Sequence, residues 1–204
     1  DTVAVLDSLD ELAPAARPRL QRLFADHGEE ALRRAADELD FCHRHSIRPL
    51  ALGTAGYPHL LAQCPDAPAV LYYRGTADLD ARHVVAVVGT RRITPYGKAH
   101  CERFCAELAA ALPDALVVSG LAYGVDIHDH RDALDHHLDT VGVLANGLDS
   151  IYPPMHRETA RQMLTHGGLL TEYMAGVRPF AGNFVRRNRI VAGLADVTLV
   201  VESA

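Results

Sequence analysis

A chain of 204 residues, 49% hydrophobic and with a formal net charge of −6, has enough apolar material for a sizeable core and no overall basic character. That balance argues against a protein that holds nucleic acid by bulk positive charge, so any such surface must gather its arginines on one face. No apolar run reaches the roughly 18 residues of a membrane span, and no signal-peptide pattern opens the chain. Four cysteines, Cys42, Cys64, Cys101 and Cys105, have no CxxC pairing and fit a reducing cytoplasm.

Residues 8–45 read as helical: Leu20, Leu23 and Phe24 recur at helical spacing, as do Ala31, Ala35 and Leu39, and His27-Gly28 predicts a helix end between them. Residues 1–45 thus read as a small helical module. Residues 46–81 are rich in Pro and Gly and read as a structured connector, with a short strand at Val70, Leu71, Tyr72 and Tyr73. From residue 82 to 204 the pattern becomes Rossmann-like. The run Val84-Val85-Ala86-Val87-Val88 is a strand buried on both faces, ending at Gly89. A helix over 96–112 follows, with Cys101 and Cys105 one turn apart; two small apolar residues on a core face explain that pair better than a metal. Strands are expected over 116–118, 140–144, 169–171 and 197–201, and helices over 125–137, 156–165 and 187–193. Strand alternating with helix predicts an α/β class: a doubly wound, mostly parallel sheet preceded by the small helical module.

Ligands of open α/β sheets bind beyond the carboxyl ends of the strands, where helix N-termini offer unpaired N–H groups to anions. Three loops fall on that edge: Gly89-Thr90-Arg91-Arg92, Ser119-Gly120-Leu121-Ala122-Tyr123-Gly124, and Asn146-Gly147-Leu148-Asp149. Each taken singly is equally a tight turn. Arg186-Arg187-Asn188-Arg189 is either a solvated helix start or an anion-gripping cluster, since Arg forks match phosphate oxygens. In the cluster Asp126, His128, Asp129 and His130, a helix cap and internal hydrogen bonds are expected rather than a metal site. Glu172 reads as a general acid/base or, better, as a carboxylate that orients a nearby arginine or backbone amide. Tyr152 and Tyr173 either stack on bases or pack at the rim.

Taken in order, these segments resemble the DNA-processing protein A family, also called Smf. The resemblance is carried by VGTRRITPYG from Val88, SGLAYGVD at 119–126 with His130, Ala133 and Leu134 after it, GLDSIYP at 147–153, TEY at 171–173 and FVRRNRIVAGL at 184–194. Upstream, Tyr57-Pro58-His59-Leu60 and the segment 68–75 belong to the same pattern. The resemblance implies an extended Rossmann fold that binds single-stranded DNA in recombination. It also implies protection of incoming DNA in natural transformation, loading of a RecA-type recombinase, a cytoplasmic setting and self-association as a homodimer. The family's phosphate-contacting arginine matches Arg91, and its RNR motif matches Arg187-Asn188-Arg189.

Three positions depart from the pattern. Pro154, Ala181 and Val185 stand where the family has a lysine, a basic residue and a proline, and His156, Arg157, Arg178 and Arg186 are the cations placed to compensate. The family continues past Glu202-Ser203-Ala204, which reads as truncation at the C-terminus. The alternative is a Rossmann-type hydrolase of nucleoside monophosphates, but its PGGxGTxxE motif is missing, and Asp126 rather than Glu follows the glycine loop. No GxGxxG, P-loop or nucleophile–base pair is present. The expectation is therefore a binding protein, not an enzyme, that needs no cofactor and no metal.

Overall fold

The computed structural model describes residues 17–203. Its first element, α1 (Arg17–Arg44), is one helix of 28 residues. The helix end expected at His27-Gly28 does not occur. A glycine inside a helix costs only about 1 kcal/mol, and the flanking Ala25, Glu29, Glu30, Ala31 and Leu32 are strong or acceptable helix formers that carry the backbone through. The expected helical residues 8–16 lie outside the described part. Leu23, Leu32 and Leu39 are exposed on α1, so its helical spacing does not mark a fully covered face.

The segment read as a connector carries two strands, β1 (Arg48–Ala51) and β2 (Val70–Gly75), with the one-turn helix α2 (His59–Ala62) between them. Both strands join the main sheet, because β2 pairs antiparallel with both β1 and β6 (Gly167–Thr171). The remaining elements alternate as expected. They are β3 (Val84–Val88), α3 (Pro95–Ala111), β4 (Leu116–Ser119), α4 (Val125–Asp135), β5 (Asp139–Val143), α5 (Arg157–Met163), then β6, α6 (Ala181–Gly193) and β7 (Val197–Val200). Strands β3 to β7 are mutually parallel. The seven-stranded sheet has the order β1-β2-β6-β5-β4-β3-β7.

Alternation along each strand divides the core. Val85, Val87 and Val117 pack with Cys101, Cys105 and Val125 beneath α3 and α4. Leu144 and Leu169 continue that face with Ala160 and Met163 of α5. Val84, Ala86, Val118, Val141 and Val143 face the other way, against Ile190 and Val191 of α6, Leu194 just past its end, and Leu61 of α2. Each fully buried Val or Leu contributes on the order of 1.5–3 kcal/mol, which is why the valine strand β3 lies inside the sheet. Cys101 and Cys105 both face this core as free thiols.

Strand order reverses at β3. The chain steps outward from β3 to β6, then crosses through α6 to lay β7 on the other side of β3. The reversal leaves a crevice beyond the carboxyl ends of the strands. No helix among the described residues is long and apolar enough to cross a membrane.

Candidate nucleic-acid interface

The loop after β3 is short because Gly89 lies against Val125 and the backbone of Glu202, where a Cβ would collide. Thr90 then spends its polar groups internally. Its amide donates to the Glu202 carbonyl (2.8 Å), its carbonyl accepts the Val125 amide (3.1 Å), and its hydroxyl accepts the Arg92 amide (3.1 Å). The Glu202 carboxylate also accepts from the amide and hydroxyl of Thr94, 2.9 and 2.5 Å away. Thr94 in turn caps α3 by accepting from the Gly97 amide at 3.1 Å. The loop is therefore pinned at both ends while Arg91 and Arg92 point outward, exposed. Neither has a carboxylate within salt-bridge distance among the described residues. The Arg91 guanidinium lies over the Phe184 ring, 5.1 Å from its centre.

The loop after β4 crosses directly beside it. Gly124 has φ of +79°, and a Cβ there would strike the Thr90 carbonyl and the Arg91 backbone, so glycine is required on both counts. Ser119 is buried and donates to the Val87 carbonyl at 2.6 Å. The Gly120 carbonyl accepts from His130 Nε2, and His130 Nδ1 sits 2.7 Å from the Thr140 hydroxyl. Burial lowers the pKa of His130 to about 4, so the ring is neutral. The Ala122 amide donates to Asp126 at 3.3 Å. The amides of Tyr123 and Gly124, at the start of α4, have no acceptor among the described residues. They are the orphan donors of a helix N-terminus.

Helix α6 closes the third side, and it divides the RRNR string. Arg187 is 4% exposed. It donates through Nη1 to the Val143 carbonyl and places Nη2 3.9 Å from Asp126, while Nε has no partner. Burial raises the pKa of Asp126, and Arg187 opposes that rise. Gly120 leaves the space both groups occupy. Arg189 points away. Its Nη2 meets Glu172 at 2.5 Å and its Nε meets Asp66 at 3.4 Å. Arg186 and Asn188 are exposed.

These elements surround a cavity of about 320 Å³. Of the residues singled out from sequence, Gly89, Arg91, Gly120, Ala122, Arg187 and Asn188 line it. Thr90, Ser119 and Gly124 stand behind it as framework, and Arg92 and Arg186 lie outside its lining. Arg189 is not brought to it. His156, expected as a surface cation, is 2% exposed, its Nδ1 held 2.9 Å from the Leu121 carbonyl. The loop ahead of α5 folds back onto the glycine loop, and that buries the ring. Glu172 does orient an arginine, as the carboxylate reading expects.

The residues missed by sequence reasoning are aromatic and apolar. Tyr123, Phe184 and Val185 line the cavity. Tyr152, singled out from sequence as a stacking or rim residue, is exposed beside it, its ring 5.8 Å from that of Phe184. Val185 is 75% exposed.

A mostly parallel sheet with its switch point at β3, and at its carboxyl edge a cavity lined by an exposed arginine and aromatic side chains, define a Rossmann-like protein. Comparison with known proteins gives the family. The model of the DNA recombination-mediator protein A family matches residues 48–204, and the chain belongs to that family. It is 42% identical over 185 residues to a Mycobacterium tuberculosis protein carrying the DprA name, covering 83% of this chain and 46% of the relative. The X-ray structure of DNA processing protein A from Streptococcus pneumoniae superposes with a TM-score of 0.76 at 28% identity, over 98% of this chain and 66% of that one. The Helicobacter pylori protein, described as having a unique single-stranded DNA binding mode, superposes with a TM-score of 0.68 at 34% identity, over 77% of this chain and 69% of that one. This chain spans about half the length of the curated relatives it matches. The resemblance read from the motifs and the Rossmann-like fold class are both borne out.

Proposed function

We propose that this chain binds single-stranded DNA by its phosphates at the cavity bordered by Arg91, residues 120–124 and α6, and that it acts in DNA recombination and natural transformation. The observation that carries the reading is the Arg91 guanidinium, free of carboxylates among the described residues and lining the same cavity as Tyr123, whose amide has no acceptor among them. Arg91 and the Tyr123 amide hold a phosphate, while Gly89 and Gly120 make room for the residues that frame the cavity. Arg92, Arg186 and Asn188 lie next along the strand. Phe184, Tyr123 and Tyr152 offer faces to the flanking bases, which makes binding sequence-tolerant. Arg187 and Asp126 brace the site from within, while Arg189 and His156 hold its frame. Family membership and the Helicobacter relative support the ligand.

In this reading the protein works in the cytoplasm as a homodimer, shields an incoming strand and passes it to a RecA-type recombinase. It binds without chemical turnover and without a cofactor. Both candidate acid groups are already engaged, Asp126 with Arg187 and the Ala122 amide, Glu172 with Arg189. Competition among oligo-dT, mixed-sequence single strands and duplex tests the ligand, and affinity for duplex equal to that for single strands refutes it. Incubation with AMP, NAD and ATP tests turnover: base or phosphate released by the wild type and lost in Asp126→Ala or Glu172→Ala supports a hydrolase instead.

A further inference from the structure

A second group of arginines converges away from the Arg91 cavity. Arg74 on β2, and Arg157 and Arg161 on α5, line a cleft of about 400 Å³ together with Leu148, Ser150 and Ile151. Arg74 is half-buried and Arg157 exposed, and neither has a carboxylate within salt-bridge distance among the described residues. Arg161 is paired with Glu158 at 2.7 Å, an exposed pair that water and salt weaken. The one carboxylate lining the cleft, Asp149, is committed through Oδ1 to the Gly176 amide at 2.9 Å. Arg74 and Arg157, without carboxylate partners among the described residues, leave this cleft an excess of positive charge over Asp149, and planar Arg forks fit phosphate oxygens.

One loop reaches both cavities. The loop between β5 and α5 presents Tyr152 to Phe184 of the first cavity, and residues 148–151 of the same loop line the second. On the other flank, Tyr123 lines the first cavity and sits edge-on to His156, ring centres 5.3 Å apart; the next residue, Arg157, lines the second. The β5–α5 loop and the residues that follow it thus carry side chains beside both cavities.

We infer that this cleft is a second phosphate subsite, which holds the backbone of the same DNA strand beyond the Tyr152 loop. The inference rests on the reading of the Arg91 cavity as a DNA site and extends the footprint in a stated direction. It follows the usual construction of single-strand grooves, in which positive charge tracks the backbone and aromatic side chains separate the phosphates.

The test compares a short oligo-dT of about 5 nucleotides, which fills the first cavity alone, with one of about 20, within the usual range of single-strand footprints and beyond. In this chain, Arg74→Gln and Arg157→Gln should each weaken binding of the long oligonucleotide about tenfold, the value of one charge-assisted contact. Each should also flatten the slope of log K against log salt by about 0.7. Short-oligonucleotide affinity should stay at the wild-type value, and Arg157→Lys should retain most of the salt slope. Unchanged long-oligonucleotide binding in both Gln variants overturns the subsite. An equal loss for short and long also overturns it, because the effect is then on the first cavity. A wild-type chain that binds neither oligonucleotide defeats the underlying DNA reading instead, and the two failures are thereby distinguished.

Discussion

Arg91 and Arg187 both line the first cavity, yet their surroundings assign them opposite behaviour on truncation. Arg91 is exposed, rests on Phe184 and holds no carboxylate among the described residues. Arg91→Ala should cost a charge-assisted phosphate contact, on the order of 1.5–3 kcal/mol or roughly 10- to 150-fold in affinity. The salt slope should flatten by about 0.7 and the melting temperature should barely move. Arg187 has side-chain exposure of 5% and its partner Asp126 of 12%. Arg187→Ala leaves that carboxylate buried without its cation and the Val143 carbonyl without its donor. Breaking a buried pair costs on the order of 3–5 kcal/mol. The 3.9 Å separation sets this one at the lower end, about 3 kcal/mol. In a chain of this size each kcal/mol is worth roughly 2–4 °C, so the melting temperature should fall on the order of 10 °C. Among molecules that remain folded, the salt slope should keep its wild-type value. Salt titrations by fluorescence anisotropy on oligo-dT, run beside thermal melts, separate the two cases. An Arg187→Ala protein that melts like wild type while losing about 0.7 of slope refutes the division of roles, as does an Arg91→Ala protein with unchanged affinity.

Gly124→Ala, strained at φ +79° and obstructed by the Thr90 carbonyl, should destabilise the fold by on the order of 1–3 kcal/mol and displace the Arg91 loop, so denaturant melts and oligo-dT affinity should fall together. Glu202→Ala should weaken single-strand binding by less than Arg91→Ala does, because it frees the loop at Thr94 without removing a phosphate contact; unchanged affinity shows that the pin is irrelevant to binding. His130, with its folded pKa near 4, binds its proton later in the folded than in the unfolded chain. Its contribution is thus fully present above about pH 6.5 and lost as pH falls toward 4, by on the order of 3 kcal/mol. Urea melts of wild type and His130→Gln across that window should diverge accordingly, and parallel pH profiles exclude the effect.

The sheet was legible because its strands announce themselves. Val84-Val85-Ala86-Val87-Val88 can only be a strand covered on both faces, and small residues mark where each strand ends. The start of α6 was not legible. The N-cap position is Phe180, which has no capping side chain, and the helix begins at Ala181 rather than near Arg187, while Asn183, the one capping-type residue nearby, lies in the first turn and donates to the Ala145 carbonyl instead. Arg189 was assigned to the anion cavity from its place in the RRNR string, although the helical period held the contrary signal. Two residues on from Arg187 is about 200° around the helix, whereas Phe184, three residues before it, shares its face. His156 had no such signal. Its burial depends on a loop from beyond β5 meeting the Leu121 carbonyl, a contact between residues 35 apart.

A chain with net charge −6 is an unpromising DNA binder only if its charge is averaged. Arg33, Arg103, Arg161, Arg187 and Arg189 each stand within 4.0 Å of a carboxylate, so their charge is cancelled where it sits. Arg91, Arg92, Arg178 and Arg186, in the loops and helix at the carboxyl edge of the sheet, have no such partner among the described residues. At about 0.1 M salt the Debye length is about 10 Å, so a phosphate at the cavity responds to these arginines and hardly to the acidic residues on distant faces. The acidic remainder still acts at long range in dilute salt, where it opposes the approach of a polyanion. Association with oligo-dT should therefore gain less from lowering the salt than it does for a uniformly basic protein. The bound complex should nevertheless lose affinity as salt rises, with the slope set by the phosphates those arginines contact.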